Sequence, residues 1–145
     1  MNEHEALVER AVSQKRTVLL VGGLDTGKST LSRMLLRAGV DAGRPSAFLD
    51  ADVGQKTVGP PATISLKAVR TIADLEPDAL ATADALSFVG STSPQGHLLP
   101  VVTGVVGLAH RARDEGADLL VVDSGGLVSG ISRSEERRVG KECRL

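Results

Sequence analysis

The sequence predicts an α/β fold, with a doubly wound and mainly parallel β-sheet covered by helices on both faces. Two observations support this prediction. Short apolar runs typical of buried strands alternate with segments of helical periodicity, and this alternation is typical of parallel sheets. Polar or glycine-rich residues follow four of the predicted strands, as they do in sheets that bind a ligand beyond the carboxyl ends of their strands. A chain of 145 residues allows one domain with a modest core.

The predicted elements follow from these periodicities. The predicted strands are short and aliphatic, and they lie at residues 17–21, 46–49, 63–66, 85–89 and 119–122. The predicted helices lie at residues 2–15, 29–38 and 98–113. Gly39 is the predicted left-handed cap of the second helix, and Gly104 and Gly107 are predicted to allow close packing of the third. The segment 70–83 stays ambiguous, because Pro77 interrupts its helical composition.

A glycine-rich motif joins the first strand to the second helix. Gly22, four further residues and then Gly27-Lys28-Ser29 have the spacing of the Walker A phosphate-binding loop. Its backbone N–H groups and the positive end of the following helix suit an anion. Lys28 is predicted to contact the β- and γ-phosphates of a nucleoside triphosphate, and the Ser29 hydroxyl to bind Mg²⁺. The predicted nucleotide-binding residues are Gly22, Gly23, Leu24, Asp25, Thr26, Gly27, Lys28, Ser29 and Thr30.

Three aspartates follow predicted strands at the same edge of the sheet. Asp123 ends an apolar run, as the metal-binding carboxylate of a Walker B motif does, although such a residue is also a common strand cap. Asp50 and Asp52 lie two apart, so in extended backbone they would project to one side and could bind Mg²⁺ or accept a proton. Turn formation is the alternative for this pair. The predicted metal ligands are Ser29, Asp50, Asp52 and Asp123.

Composition limits the setting in which the chain works. The 17 basic and 18 acidic residues give a net charge of −1, so any polynucleotide contact must be local rather than driven by an overall field. The single cysteine gives no disulfide framework, and no apolar stretch reaches the length needed to span a membrane. We therefore expect a cytoplasmic protein without membrane contact.

The last residues differ from the rest of the chain. Residues 132–145 are rich in charge and have no periodic apolar pattern. They resemble the read-through tail that sequencing-adapter contamination adds to unrelated proteins. We expect a P-loop domain over residues 1–131 and a non-native or disordered tail at 132–145, with an ordinary solvated helical end as the alternative.

Five motif-bearing segments occur in a fixed order along the chain: Gly22–Thr30, Asp50–Lys56, Pro60–Leu66, Phe88–His97 and Val122–Ser124. Together they resemble the P-loop domain of the polynucleotide 5′-hydroxyl kinases. That family includes archaeal polynucleotide kinase and the eukaryotic RNA kinases of tRNA splicing and ribosomal RNA processing. The resemblance implies Mg²⁺-dependent transfer of the ATP γ-phosphoryl group to the 5′-hydroxyl of RNA or DNA. It covers roughly residues 15–131.

The resemblance also implies catalytic roles for individual residues. Asp52 matches the carboxylate proposed as general base in the family. Lys28 and Ser29 match the groups that contact phosphate and Mg²⁺, and Asp123 matches the second aspartate of the metal region. The predicted catalytic residues are therefore Lys28, Asp52 and Asp123.

Three further residues are predicted to bind the substrate. Gln55 lies in the family's substrate-facing segment and is expected to orient a nucleophile or a phosphate. Lys56 is expected to contact an anionic substrate, unless it is simply solvated. His97 lies in a turn that borders the family's site, where a phosphate contact competes with the alternative of a solvent-facing residue at a helix start.

Two departures from the family pattern limit the expected activity. Asp123-Ser124-Gly125-Gly126 stands where the family has Asp-Thr-Pro-Gly or Asp-Thr-Thr-Gly. The resemblance stops near Ile131, before the further strands and the arginine-bearing lid, so we expect a fragment that is incomplete at its C-terminus and turns over little alone. The alternatives are a P-loop NTPase or GTPase switch or metallochaperone-type protein, and a non-catalytic nucleotide-binding module.

Overall fold

The computed structural model describes residues 1–22 and 27–125. The predicted domain boundary at residue 131 and the tail at 132–145 lie outside these residues. Within the described part, one sheet contains the strands β1 (Thr17–Leu20), β2 (Ser46–Asp50), β3 (Thr63–Val69), β4 (Ala85–Phe88) and β5 (Leu119–Asp123). The helices are α1 (Glu3–Gln14), α2 (Lys28–Asp41), α3 (Pro77–Ala81) and α4 (Leu98–Asp114), with a 3₁₀ turn at Ile72–Leu75.

The strand order in the sheet is β1-β5-β2-β3-β4. β1, β5 and β2 are parallel neighbours, whereas β3 runs antiparallel to both β2 and β4. Four of the five described strands therefore run in one direction, which confirms the predicted mainly parallel sheet. The reversal of β3 was not predicted. It arises because the chain after β2 returns through a loop without the crossover helix that a parallel connection requires.

Helices cover both faces of this sheet, as predicted for a doubly wound fold. α1, α2 and α3 contribute to the buried cluster on one face, which contains Val8, Val12, Leu35, Leu36, Leu80, Phe48 and Val121. α4 contributes to the cluster on the other face, which contains Val101, Leu108, Ala112, Leu49 and Ile64. Among the helices described, none combines the length and apolar character needed to cross a membrane.

Gly39 does not have its predicted role. α2 continues to Asp41, so Gly39 lies inside the helix instead of capping it. Its missing side chain lets the helix approach the sheet, because a Cβ atom there would lie 2.5 Å from Ser46 Oγ and 2.9 Å from Leu119 Cδ2. The prediction was wrong because periodicity cannot distinguish a glycine that ends a helix from one that packs against a strand.

The two glycines of α4 also differ from each other. Gly104 allows close packing as predicted, since a Cβ atom there would lie 2.9 Å from Ser87 Oγ and 3.1 Å from Ile64 Cγ1. Gly107 faces open space, with nothing within 4 Å of its Cβ position, so the prediction for Gly107 was wrong.

Arg44 connects the end of α1 to Asp118, the residue before β5. Its Nε donates to Asp118 Oδ2 at 2.7 Å, and its Nη2 donates to the Asp118 carbonyl at 3.0 Å. Its Nη1 donates to the carbonyls of Val12 and Lys15 at the end of α1, which lack helical partners. The hydrogen bond from Arg44 holds the pKa of Asp118 below its usual 3.8.

Candidate active site

The carboxyl ends of β1, β5 and β2 lie side by side. Leu20 is the register partner of Asp123, and Asp123 is the register partner of Asp50. Beyond β5, the N–H and hydroxyl groups of Ser124 both donate to the Leu20 carbonyl, at 3.2 and 2.7 Å. The three segments that come after these strands therefore leave the sheet from one common edge, where α/β sheets bind their ligands.

The phosphate-binding motif begins at this edge. Gly22 follows β1, and α2 starts at Lys28 with Gly27 at its N-cap. Gly27 has a φ of 82°, a left-handed conformation that glycine adopts without steric cost. The Lys28 ammonium donates to the Gly22 carbonyl at 2.7 Å, while Ser29 and Thr30 lie on the first turn of α2. The predicted nucleotide-binding residues Gly23, Leu24, Asp25 and Thr26 lie outside the described residues.

Asp50 ends β2 with its side chain only 2% exposed. Its Oδ2 accepts hydrogen bonds from the N–H groups of Thr57 and Val58, at 2.7 and 2.9 Å. Its Oδ1 accepts from the Asp52 N–H at 3.1 Å and lies 3.3 Å from Lys56 Nζ. Both carboxylate oxygens are therefore used to hold the following loop. These contacts agree with the turn-forming alternative, and the role of Asp50 as a metal ligand stays a prediction.

Lys56 is the buried partner of Asp50. Its side chain is 4% exposed, and its ammonium also donates to the Asp50 carbonyl at 2.8 Å. Burial lowers the pKa of Lys56, and the charge of Asp50 opposes this change. Burial likewise raises the pKa of Asp50, against the opposing effect of Lys56 and the backbone N–H donors. The ammonium of Lys56 is turned inward to a carboxylate, and its contact with an anionic substrate stays a prediction.

Asp52 places a carboxylate at the edge formed by the carboxyl ends of β1, β5 and β2, which we call the strand-end edge. Its Oδ1 accepts hydrogen bonds from the N–H groups of Gly54 and Gln55, at 3.1 and 3.0 Å. Gly125, just beyond β5, passes directly against this side chain. A Cβ atom on Gly125 would lie 2.6 Å from Asp52 Cβ and Cγ and 2.8 Å from Oδ2. The orientation of Asp52 is thus fixed by two donors on one side and a glycine backbone on the other.

Asp123 lies on the other side of the same glycine. It is 6% exposed, and its Oδ1 accepts from the Gly125 N–H at 2.9 Å. Its carbonyl accepts from the Ala51 N–H at 2.9 Å, which keeps the ends of β2 and β5 together. Asp52 and Asp123 therefore converge on Gly125, whereas Asp50 is turned away into the loop after β2.

The turn at residues 90–97 reaches the same edge. β4 runs in the same direction as β2, so the turn leaves the sheet beside the loop that contains Asp52. A Cβ atom on Gly54 would lie 2.8 Å from the Thr92 carbonyl, so the two segments are in backbone contact there. The structure therefore brings together two of the segments that carry predicted substrate residues.

Ala62 links the same two segments through its backbone. Its N–H donates to the Val53 carbonyl at 2.9 Å, and its own carbonyl accepts from the N–H groups of Val89 and Gly90, at 2.9 and 3.1 Å. Ala62 has a φ of 65°, which is uncommon for a residue with a side chain. Local strain of this kind persists only where surrounding contacts hold it.

The remaining predicted substrate residues are more peripheral. Gln55 is exposed next to Asp52. His97 occupies the N-cap position of α4 and is partly exposed, with Nδ1 3.0 Å from the Gln95 carbonyl. Because a carbonyl only accepts, Nδ1 carries the proton in this contact. This local hydrogen bond orients the His97 ring, and its contact with phosphate stays a prediction.

Gly125 and Ala62 were not predicted as site residues. For Gly125 a signal existed, since a glycine two residues after a strand-ending aspartate permits the close approach seen here. For Ala62 no signal existed, because alanine seldom adopts a positive φ and its residue type does not indicate hydrogen bonds to two neighbouring segments.

The donor set at this edge fits a hard cation only in part. Ser29, Asp52 and Asp123 supply oxygen atoms of the kind that Mg²⁺ prefers. Within the described residues, however, no group of three acidic, histidine or cysteine side chains has the arrangement of a metal centre. Mg²⁺ sites of nucleotide enzymes commonly have one or two protein ligands, completed by substrate phosphates and water.

Residues 22–139 of this chain match a protein-family model, that of the mRNA cleavage and polyadenylation factor CLP1 P-loop. The chain belongs to the CLP1 P-loop family. The match begins at Gly22 and includes the segments that converge on the strand-end edge, so the predicted P-loop fold is confirmed. The relatives described next confirm the resemblance to the polynucleotide 5′-hydroxyl kinases.

Relatives of this CLP1 P-loop chain are found in archaea and vertebrates. It is 38% identical over 124 residues to a polyribonucleotide 5′-hydroxyl-kinase of Methanocaldococcus jannaschii, covering 83% of this chain and 32% of the relative. It is 34% identical over 132 residues to one of Pyrococcus furiosus, covering 88% and 36%. It is 37% identical over 94 residues to the polyribonucleotide 5′-hydroxyl-kinase Clp1 of Xenopus tropicalis, covering 65% and 22%. The chain thus spans about a third of the length of the archaeal relatives.

Proposed function

We propose that this chain provides the nucleotide-binding and base-bearing part of a kinase that transfers the ATP γ-phosphoryl group to the 5′-hydroxyl of RNA or DNA. The observation that carries the proposal is the convergence of Asp52 and Asp123 on Gly125, at the strand ends from which the Walker A loop also leaves. The names of the relatives support the same reaction.

The phosphates would be bound at the start of α2. The backbone N–H groups of the loop, the positive end of α2 and the Lys28 ammonium would surround the β- and γ-phosphates. Mg²⁺ held by Ser29 and Asp123 would supply positive charge to these phosphates. In this arrangement Lys28 exchanges its present contact with the Gly22 carbonyl for a phosphate oxygen.

Asp52 is proposed as the general base. The 5′-oxygen of the polynucleotide attacks the γ-phosphorus, the bond from that phosphorus to the β–γ bridging oxygen breaks, and the hydroxyl proton passes to Asp52. The two N–H donors on Oδ1 hold the carboxylate in place, so the other oxygen is available for this proton. Positioned proton abstraction contributes roughly 10²–10⁴-fold to a rate. Exposed Gln55, and His97 in the neighbouring turn, would contact the polynucleotide end.

The decisive experiment is a sensitive label-transfer assay at high concentration of the full chain, because the sequence predicts low turnover for this chain alone. The chain is incubated with γ-labelled ATP and RNA or DNA oligonucleotides that carry a 5′-hydroxyl, and the same oligonucleotides with a 5′-phosphate are the matched control. Label on the 5′-hydroxyl oligonucleotide alone is expected. Release of free phosphate without labelled oligonucleotide would identify an NTPase and contradict the proposal.

Two substitutions separate nucleotide binding from chemistry. Asp52→Asn keeps an acceptor for the N–H groups of Gly54 and Gln55 but cannot take a proton, so transfer should fall roughly 10²–10⁴-fold with unchanged binding of fluorescent ATP. Lys28→Met should weaken ATP binding itself. Asp114→Asn, at the exposed end of α4, is the control for loss of a carboxylate.

A further inference from the structure

We propose that the buried Asp50–Lys56 pair is a positioning device that holds Asp52 and Gln55 in their working orientation. The inference rests on the proposed function, since it assigns the pair a part in the same reaction. It gives both residues a role different from the metal and substrate contacts that their residue types suggested.

The pair holds the loop after β2 at both of its ends. At the near end, the Asp50 carboxylate binds the N–H of Asp52 at 3.1 Å. At the far end, the same carboxylate binds the N–H groups of Thr57 and Val58, and the ammonium of Lys56. One carboxylate thus fixes the backbone on either side of residues 53–55.

The burial of the pair indicates a role beyond stability. Its two side chains are 2% and 4% exposed, and the cost of removing two charges from water offsets most of the attraction between them. Apolar residues of similar size would fill the same space without that cost. What an apolar pair cannot supply is a set of hydrogen bonds that defines one backbone path for a loop without helix or strand. The best-supported benefit of such a pair is therefore conformational specificity.

The fixed backbone path determines where Asp52 lies. Its carboxylate is oriented by the N–H groups of Gly54 and Gln55, so its position depends on that backbone. Lys56 follows Gln55 directly, and its ammonium returns to the Asp50 carbonyl at 2.8 Å. Loss of Lys56 would release residues 53–55 and leave the Asp50 charge buried without its cationic partner. The Walker A loop lies between β1 and α2, so ATP binding should be spared.

The test compares Lys56→Met with a matched control, Lys67→Met. Lys67 is also a partly buried lysine, 12% exposed and 4.0 Å from the Asp84 carboxylate, but Asp84 precedes β4 at the opposite edge of the sheet. In the label-transfer assay, Lys56→Met should lower kcat by roughly 10²-fold with little change in KM for ATP, because small misplacements of reacting groups have effects of that size. Lys67→Met should leave both constants close to those of the wild type. Equal kcat in the wild type and in Lys56→Met would overturn the proposal.

A double variant separates positioning from stability. Asp50→Asn combined with Lys56→Met removes both charges, so thermal stability should recover relative to Lys56→Met. Positioning requires that kcat stays low in this stable variant. If kcat recovers together with stability, the pair has only a structural role and the inference is wrong.

A second measurement does not depend on activity. In amide NMR spectra, Lys56→Met should shift the resonances of Gly54 and Gln55 and leave those of α2 unchanged, whereas Lys67→Met should leave the Gly54 and Gln55 resonances in place. If the wild-type chain transfers no label, the proposed function fails. The inference is then judged on these spectra, and unchanged Gly54 and Gln55 resonances in Lys56→Met would overturn it.

Discussion

Asp50 and Asp123 are register partners at the ends of adjacent parallel strands, and their carboxylates accept hydrogen bonds from different segments. Asp50 binds the N–H groups of Thr57 and Val58 in the loop that returns beside β2, whereas Asp123 binds the N–H of Gly125. The residue type and the strand position are the same in both cases. The difference comes from the segment after each strand, which is a returning loop beyond β2 and a close-packed glycine beyond β5.

Gly125→Ala should impair transfer more than stability. The new methyl group would lie 2.6 Å from Asp52 Cβ, so Asp52 must move, and a displaced base should lower kcat by roughly 10²-fold. Gly116→Ala is the matched control, because Gly116 also has a positive φ but nothing lies within 4 Å of its Cβ position. Both variants should lose about 1–2 kcal/mol of stability from backbone strain. Equal transfer rates in the two variants would contradict the proposed contact.

Gly54→Ala should weaken use of the polynucleotide. Its methyl group would lie 2.8 Å from the Thr92 carbonyl, and backbone on both sides must separate to accommodate it. Because Gln55 and the turn at residues 90–97 border the proposed polynucleotide site, KM for the oligonucleotide should rise severalfold while ATP binding is kept. Steady-state label transfer at varied oligonucleotide concentration measures this. An unchanged KM would show that the contact does not shape the substrate site.

Two glycine substitutions in α4 should change stability in opposite directions. A methyl group at Gly104 meets Ser87 Oγ at 2.9 Å and Ile64 Cγ1 at 3.1 Å, so Gly104→Ala should destabilise the fold by about 1–3 kcal/mol. Gly107 faces open space, so Gly107→Ala should stabilise it by about 0.5–1 kcal/mol through helix propensity. Urea unfolding of both variants measures the two free energies. A loss of stability in Gly107→Ala would contradict the open space around Gly107, since it would indicate a steric clash with a neighbouring residue.

The contact between Arg44 and Asp118 should make stability depend on acid pH. The hydrogen bond from Arg44 lowers the pKa of Asp118 in the folded chain below the 3.8 expected when unfolded. The contribution of the charged carboxylate is therefore present above pH 3.8 and is lost as pH falls through the folded pKa. The difference in unfolding free energy between wild type and Asp118→Asn should accordingly shrink from pH 7 to about pH 2. In an Arg44→Met background most of this pH dependence should disappear, leaving the smaller effect of the Arg16 charge. Its full persistence there would exclude Arg44 as the main cause.

Much of the fold could be predicted because aliphatic runs and helical spacing report burial directly. The direction of β3 was missed although a signal existed, because no helix is predicted between residues 49 and 63 and a parallel connection requires a crossover helix. The roles of Gly39 and Gly107 could not be predicted, because they depend on distance to neighbouring elements rather than on position in a helix.

In the candidate site, the residues within motifs could be predicted and the contacts within the loop could not. Lys28, Ser29 and Asp123 lie in motifs whose spacing places them at the strand-end edge without knowledge of the loops. The contacts of Asp50 and Lys56 could not be predicted, because residue type indicates what a side chain can bind, while the path of the loop decides whether it faces the solvent or its own backbone. A carboxylate and an ammonium six residues apart satisfied each other inside the loop.

The backbone of Ala62 has a mechanical consequence. Its N–H is hydrogen-bonded to Val53 on one side and its carbonyl to Val89 and Gly90 on the other, so a displacement of either segment pulls on the other. We therefore expect these two segments to move together. A molecule that binds against the turn after β4 would then also shift the segment that carries Asp52.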